Sequence, residues 1–211
     1  MALELLYGGT FDPVHAGHLA VARAARDALS ADVAFLPAAD PPHRPCPGAS
    51  AEQRAHLLAM AIAGEPGFRI DRRELQRPGP SYTVDTLRGW RAERGPDAPL
   101  AWLMGADAFR GLPAWHQWRD LLALAHFVVA VRPGHDLAAL PAELETACAG
   151  RWIQAPGLAQ APAGGLFRLS MSLHPASATE LRRRLRSGEP HGGWLAPAVA
   201  AHIAREGLYR P

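Results

Sequence analysis

Two histidines three residues apart, His15 and His18, close the run Gly8-Gly9-Thr10-Phe11-Asp12-Pro13-Val14-His15-Ala16-Gly17-His18. Imidazole N–H groups donate to anionic oxygens, and residues three apart on a helix point to one side. Leu3 to Tyr7 reads as a short buried strand and Leu19 to Leu29 carries apolar residues at helical spacing, so the run bridges a first strand and a first helix. Helix N-termini present unpaired N–H groups and a positive dipole end to anions. Gly8 and Gly9 let backbone approach a ligand, and Gly17 leaves room between the histidines. Either histidine taken singly is more often a capping or solvated residue, but the eleven-residue combination points to phosphate chemistry.

What the chain lacks narrows that chemistry. All 22 basic side chains are arginine, so a lysine-bearing P-loop, a Schiff-base lysine and a lysyl-nucleotide intermediate are excluded. No G-x-G-x-x-G follows the first strand. Phosphates must therefore be met by histidine, arginine, hydroxyls and backbone N–H groups. With a net charge of +2 and scattered arginines, the chain does not read as a nucleic-acid binder. Arg182-Arg183-Arg184 with Arg186 is the exception, and a short basic run is equally a solvated helix face. No basic leader, long apolar core or membrane-length run is present, and a cytoplasmic protein is expected. Cys46 and Cys148 lack metal-ligand spacing and are expected to be free thiols.

The elements that must position the histidines alternate. Strands are expected at 33–36, 68–70, 100–104, 127–131 and 166–169. Helices are expected at 51–63, from the Ser81–Leu87 segment to about Arg94, and at 115–124, 178–186 and 195–205. Residues 37–47 form a Pro-rich loop, and 136–165 is ambiguous. The pattern predicts one α/β domain over 1–211, a Rossmann-like doubly wound parallel sheet with right-handed crossovers. An adequate core fits 211 residues at 48% hydrophobic composition.

Further motifs follow the first: Pro41-Pro42-His43-Arg44, Ser81-Tyr82-Thr83-Val84-Asp85-Thr86, Gly105-Ala106-Asp107, Leu112-Pro113-Ala114-Trp115-His116, Ser177-Ala178-Thr179-Glu180-Leu181-Arg182 and Gly207-Leu208-Tyr209-Arg210. With the histidine run they resemble the H-x-G-H nucleotidyltransferases and, among these, the bacterial nicotinate-nucleotide adenylyltransferases, over about residues 3 to 210. Ala176 and Glu180 depart from the family pattern without touching the expected phosphate ligands.

The resemblance implies transfer of AMP from ATP to the phosphate of nicotinate mononucleotide, with Mg²⁺ carried by ATP and no metal held by protein side chains. It implies His15 and His18 as catalytic groups, and an ATP site formed by these with Gly8, Gly9, Thr10, Phe11, Gly105, Asp107, Ser177, Thr179 and Arg182. It places the mononucleotide at His43, Arg44, Tyr82, Thr83, Trp115 and His116. Trp115 would stack on the pyridine ring, and the N–H groups of Thr83 and His116 would receive its carboxylate.

These roles stand beside simpler ones. Ser177 and Glu180 have capping-box spacing, Asp107 could cap a helix, and His43 and Arg44 could be solvated loop residues. Trp118, three residues after Trp115, is expected in the core. Thr179 and Arg182 would share a helix face, suiting the β- and γ-phosphates. The acceptor could instead be nicotinamide mononucleotide or pantetheine phosphate, although the latter's enzymes are shorter and lack the Ser-Tyr-Thr and Leu-Pro-x-Trp elements. A non-catalytic nucleotide sensor is the reading from another class, and intact His15, His18 and Arg182 speak against it. No membrane or nucleic-acid partner is expected, and the protein is expected to be a monomer or a homodimer.

Overall fold

A computed structural model describes residues 2–41, 47–131, 137, 140–172 and 174–210. Strands β1 (Glu4–Gly9), β2 (Val33–Pro37), β3 (Phe68–Ile70), β4 (Leu100–Gly105), β5 (His126–Val131) and β6 (Leu166–Ser170) form one sheet in the order β3-β2-β1-β4-β5-β6. Every pairing is parallel. Such a sheet is covered on both faces, which is why β2, β4 and β5 read as nearly continuous apolar runs instead of alternating ones. Leu5 and Tyr7 of β1 enter one core layer and Leu6 the other.

Helices α1 (Ala16–Leu29), α2 (Ala51–Ile62), α3 (Thr83–Arg94), α4 (Ala106–Arg110), α5 (Trp118–Leu124), α6 (Ala142–Cys148), α7 (Ala155–Leu158), α8 (Ala178–Ser187) and α9 (Pro197–Glu206) connect and flank the strands. Chain direction across the sheet reverses between β1 and β4. In doubly wound sheets that switch point opens a crevice at the carboxyl ends of the strands.

The expected strands are all present, with β1 running two residues further so that Gly8 and Gly9 end a strand instead of opening a loop. The helix expected over 115–124 begins only at Trp118, because Leu112–Ala114 forms a 3₁₀ turn and Gln117 adopts a left-handed φ of 49°. The ambiguous stretch holds α6 and α7, and α4 was not expected. Trp118 is buried, as its spacing predicted.

A buried histidine ties β5 to the chain that leads into β6. His126 Nε2 lies 2.8 Å from the Ala161 carbonyl and its Nδ1 accepts from the Gly165 N–H at 2.9 Å, so one nitrogen donates and the other accepts. That arrangement fits only the neutral ring. Burial lowers its pKa below the ordinary histidine value, and Arg91 nearby lowers it further. Below about pH 6.5 the unfolded chain therefore binds a proton that the folded chain refuses, so this site's contribution to stability is intact above that pH and lost below it. Urea midpoints at pH 7.5 and 5.5 should fall further on acidification in wild type than in His126→Gln. Equal losses in the two proteins would show that the ring does not carry this linkage.

Candidate active site

The crevice at the switch point is a cleft of about 770 Å³. Its floor is the end of β1: Gly8, Gly9, Thr10 and Phe11 all line it, with His15 and His18 beside them. A Cβ at Gly8 would stand 2.2 Å from the Trp102 indole, so this position is glycine first because β4 packs a tryptophan against it. Gly17 serves the histidines as expected, since a Cβ there would meet the His15 ring at 3.0 Å.

His15 caps α1 in extended backbone and His18 lies in the first turn, so both rings stand at the positive end of a helix dipole. The rings stack with centroids 3.7 Å apart. The His15 N–H donates to His18 Nδ1 at 3.2 Å, which assigns the proton of a neutral His18 ring to Nε2. Phe11, held at a left-handed φ of 49° and 2% exposed, packs edge-on against His18 at 5.1 Å. A non-glycine residue in that region stores strain and persists only where packing dictates it. Here Tyr7 and Phe35 also hold the ring, at 5.6 and 5.8 Å. The start of α1 is pinned from outside by the Ala16 N–H, which donates to the Trp194 carbonyl at 2.8 Å.

Beside the histidines the basic run of α8 divides by role. Thr179 and Arg182 line the cleft on one helix face, and the Arg182 guanidinium approaches the Thr179 hydroxyl at 3.4 Å. Arg182 also donates to the Asp12 carbonyl at 2.6 Å and lies 3.6 Å from its carboxylate. Asp12 in turn accepts from the Gly48 N–H at 2.9 Å, so the guanidinium is fixed from behind. Arg183 instead pairs with Glu180 and Glu189 outside the cleft. Arg184 lies over the Trp194 ring at 4.3 Å, so it is not the solvated side chain a basic run suggests. Arg186, one turn beyond Arg182, lines the cleft, a place that its membership of the basic run did not indicate.

Ser177 does not line the cleft; its oxygen accepts from the Glu180 N–H at 3.2 Å and caps α8. Only this half of the expected capping box is seen, because the Glu180 carboxylate is taken by Arg183 and Arg184, which hold its pKa at about 2. Gly105 and Asp107 line the cleft at the end of β4. Gly105, not Asp107, is the cap of α4, and the exposed Asp107 carboxylate lies 3.3 Å from Arg110.

The remaining wall brings together two motifs distant in sequence. Tyr82 caps α3, Thr83 is its first residue, and the Tyr82 ring lies 4.4 Å from that of His116. Trp115 lines the same end, half-buried. Among the described residues neither the Thr83 nor the His116 N–H donates to a protein acceptor. Glu74, which nothing in the sequence distinguished, is 4% exposed and also lines the cleft. Arg54 is buried beneath it all, donating to the carbonyls of Thr10 at 2.6 Å, Ala38 at 2.7 Å and Ala49 at 3.2 Å. His43 and Arg44 lie outside the described residues.

One cleft thus sets imidazoles and a guanidinium on one side and aromatic rings with donor N–H groups on the other. The cytidylyltransferase-like family model matches residues 6–184. A protein of Stenotrophomonas maltophilia (strain K279a) named "Probable nicotinate-nucleotide adenylyltransferase" is 54% identical, covering 100% of this chain and 98% of its own. One of the same name from Cronobacter sakazakii (strain ATCC BAA-894) is 47% identical, over 100% and 97%. The structure of Plasmodium falciparum nicotinic acid mononucleotide adenylyltransferase complexed with NaAD superposes with a TM-score of 0.75 at 13% identity, covering 99% of this chain and 98% of that one, a likeness of fold. By full-length identity and motif, the chain belongs to the nicotinate-nucleotide adenylyltransferases, within the cytidylyltransferase-like family.

Proposed function

We propose that the cleft transfers the adenylyl group of ATP to the phosphate of nicotinate mononucleotide, with residues 1–211 acting as one nucleotidyltransferase domain. The acceptor phosphate oxygen forms a bond to the α-phosphorus of ATP, the bond to the bridging oxygen breaks, and pyrophosphate leaves, giving nicotinate adenine dinucleotide. The observation that carries this reading is the shared cleft: His15, His18, Thr179 and Arg182 on one side, Tyr82, Thr83, Trp115 and His116 on the other.

The nucleophile is a phosphate monoester with a second pKa of ~6, so it is largely ionised at neutral pH and needs no enzyme base. The protein's task is to hold two polyanions in line and to offset charge gathering on the α-phosphate and the leaving group. His18, with its Nε2 proton, and His15 beside it serve the α-phosphate. Thr179 and Arg182 serve the polyphosphate tail, and Arg182 is already oriented by Asp12. Trp115 supplies a stacking surface for the pyridine ring, and such contacts contribute roughly 0.5–1.5 kcal/mol beyond area burial.

Mg²⁺ fits this site as a passenger on ATP. Among the described residues no cluster of three or more His, Cys, Asp or Glu side chains could hold a metal, and the proposed Mg²⁺ would arrive bound to ATP. There it would neutralise the triphosphate. Among the described residues no helix is long and apolar enough to cross a membrane.

Pyrophosphate release from ATP, with nicotinate mononucleotide, nicotinamide mononucleotide and pantetheine phosphate offered in turn, tests the reading. The first should be strongly preferred. Release with none of them would support the nucleotide-sensor reading and end this one.

The arginines give a finer test. Arg182→Ala should raise KM for ATP by about tenfold or more, the scale of a lost charge-assisted hydrogen bond, and leave KM for the mononucleotide nearly unchanged. Arg183→Ala, which loses only exposed ion pairs, should change neither by more than about twofold. Equal effects at the two positions would replace a specific clamp with a diffuse basic patch.

A further inference from the structure

Glu74 is a buried carboxyl that the chemistry above does not use. It precedes α3 by nine residues, lines the cleft and is 4% exposed. Burying a carboxyl is unfavourable unless its oxygens are hydrogen-bonded, and this one has two hydroxyl partners. The Thr86 hydroxyl donates to its Oε1 at 2.6 Å, and the Ser81 hydroxyl stands near enough to favour its charged form.

Both partners are themselves fixed. Ser81 Oγ accepts from the N–H groups of Ala39 at 3.0 Å and Asp40 at 3.3 Å, and the Ser81 N–H returns a bond to the Asp40 carbonyl at 2.8 Å. Arg77 approaches Thr86 Oγ1 and the Tyr82 carbonyl at 3.3 Å each, bracketing the first turn of α3 from outside. Burial pushes the Glu74 carboxyl above the usual glutamate range, while the Thr86 bond and the Arg77 charge hold it down. Between Ser81 and Thr86 lie Tyr82 and Thr83, the residues assigned to the acceptor's ring.

We propose that Glu74 is a positioning residue for the acceptor ring: by bridging the Ser81 and Thr86 hydroxyls it fixes the Tyr82–Thr83 turn against the Ala39–Asp40 turn, and so sets the N–H group that receives the pyridine carboxylate. This rests on the function proposed above. The polyphosphate side of the cleft, built on α1 and α8, shares none of these bonds. A defect at Glu74 therefore reaches the mononucleotide and spares ATP.

Glu74→Gln keeps the volume but puts an NH₂ donor where a hydroxyl donor now points. A mismatched buried bond of this kind is worth about 1–3 kcal/mol, so KM for nicotinate mononucleotide should rise about tenfold or more. KM for ATP should stay within about twofold. Thr86→Val, nearly equal in shape, removes the other end of the bridge and should give the same split. Amide hydrogen exchange at Tyr82, Asp85 and Thr86, whose N–H groups donate to the Pro80 and Tyr82 carbonyls, should quicken in both variants while exchange in α1 is unchanged, a readout independent of which acceptor the enzyme uses.

A variant with native-like exchange at Tyr82, Asp85 and Thr86, or with both KM values raised together, would overturn the proposal. Should wild type release no pyrophosphate with any mononucleotide, the assigned function fails, and the exchange result still decides whether Glu74 holds the turn.

Discussion

His18→Ala is expected to lower kcat by about 10²-fold or more while changing ATP affinity little, because in the proposed reaction its Nε2–H would serve charge that appears only in the transition state. The geometry favours this residue over its neighbour. His18 Nδ1 is occupied by the His15 N–H, so the tautomer is set before substrate arrives. The Phe11 ring at 5.1 Å and the stacked His15 ring at 3.7 Å fix the imidazole plane. A donor held in this way needs no reorganisation as charge develops. Removing it leaves the ground-state contacts of Thr179 and Arg182 intact, so binding survives and turnover does not. Single-turnover and steady-state rates, with ATP affinity measured by equilibrium titration, separate the two. A folded variant with near-normal kcat would remove His18 from the chemistry.

The parts of this site that were legible in the sequence are those built from neighbours along the chain. The histidine pair, the glycine between its members and the shared face of Thr179 and Arg182 are local, set by the cap and first turn of α1 and by helical spacing in α8. The strands were legible because a parallel sheet buried on both faces demands short apolar runs.

What escaped depends on contacts far apart in sequence. The Arg182 to Asp12 bond spans 170 residues, and no local pattern announces it. Glu74 sits in the polar stretch Asp71-Arg72-Arg73-Glu74-Leu75-Gln76-Arg77, which reads as surface, and only the packing of α3 against the loop after β2 makes that glutamate a buried hub. Arg54 reads as the polar face of α2, yet its guanidinium gathers carbonyls that β-strand ends leave unpaired. Arg186 looked like one more member of a basic run until the direction of α8 turned it into the cleft. Helix α4, at five residues, is too short to carry a period.

The nicotinate acceptor should be preferred over its amide by about 10- to 100-fold in kcat/KM. Thr83 opens α3, where first-turn N–H groups have no partner within the helix, and His116 follows a 3₁₀ turn whose bonds stop at Trp115. Both N–H groups can only donate, which matches the two oxygens of a carboxylate. A carboxamide must turn its NH₂ toward one of them, leaving a donor that the bound ring covers unpaired at about 1–3 kcal/mol and losing a charge-assisted bond besides. The α3 dipole favours the anion as well, and the Tyr82 and His116 rings, 4.4 Å apart, hold the two donors in one wall. Trp115→Ala separates orientation from stacking: it should weaken acid and amide acceptors by similar factors, because either ring stacks, and so leave their ratio unchanged. Competition between the two mononucleotides, measured on wild type and on Trp115→Ala, checks both statements. If the amide is used as well as the acid, the donor-only wall is not what reads the ring, and the acceptor must be recognised through its ribose phosphate alone.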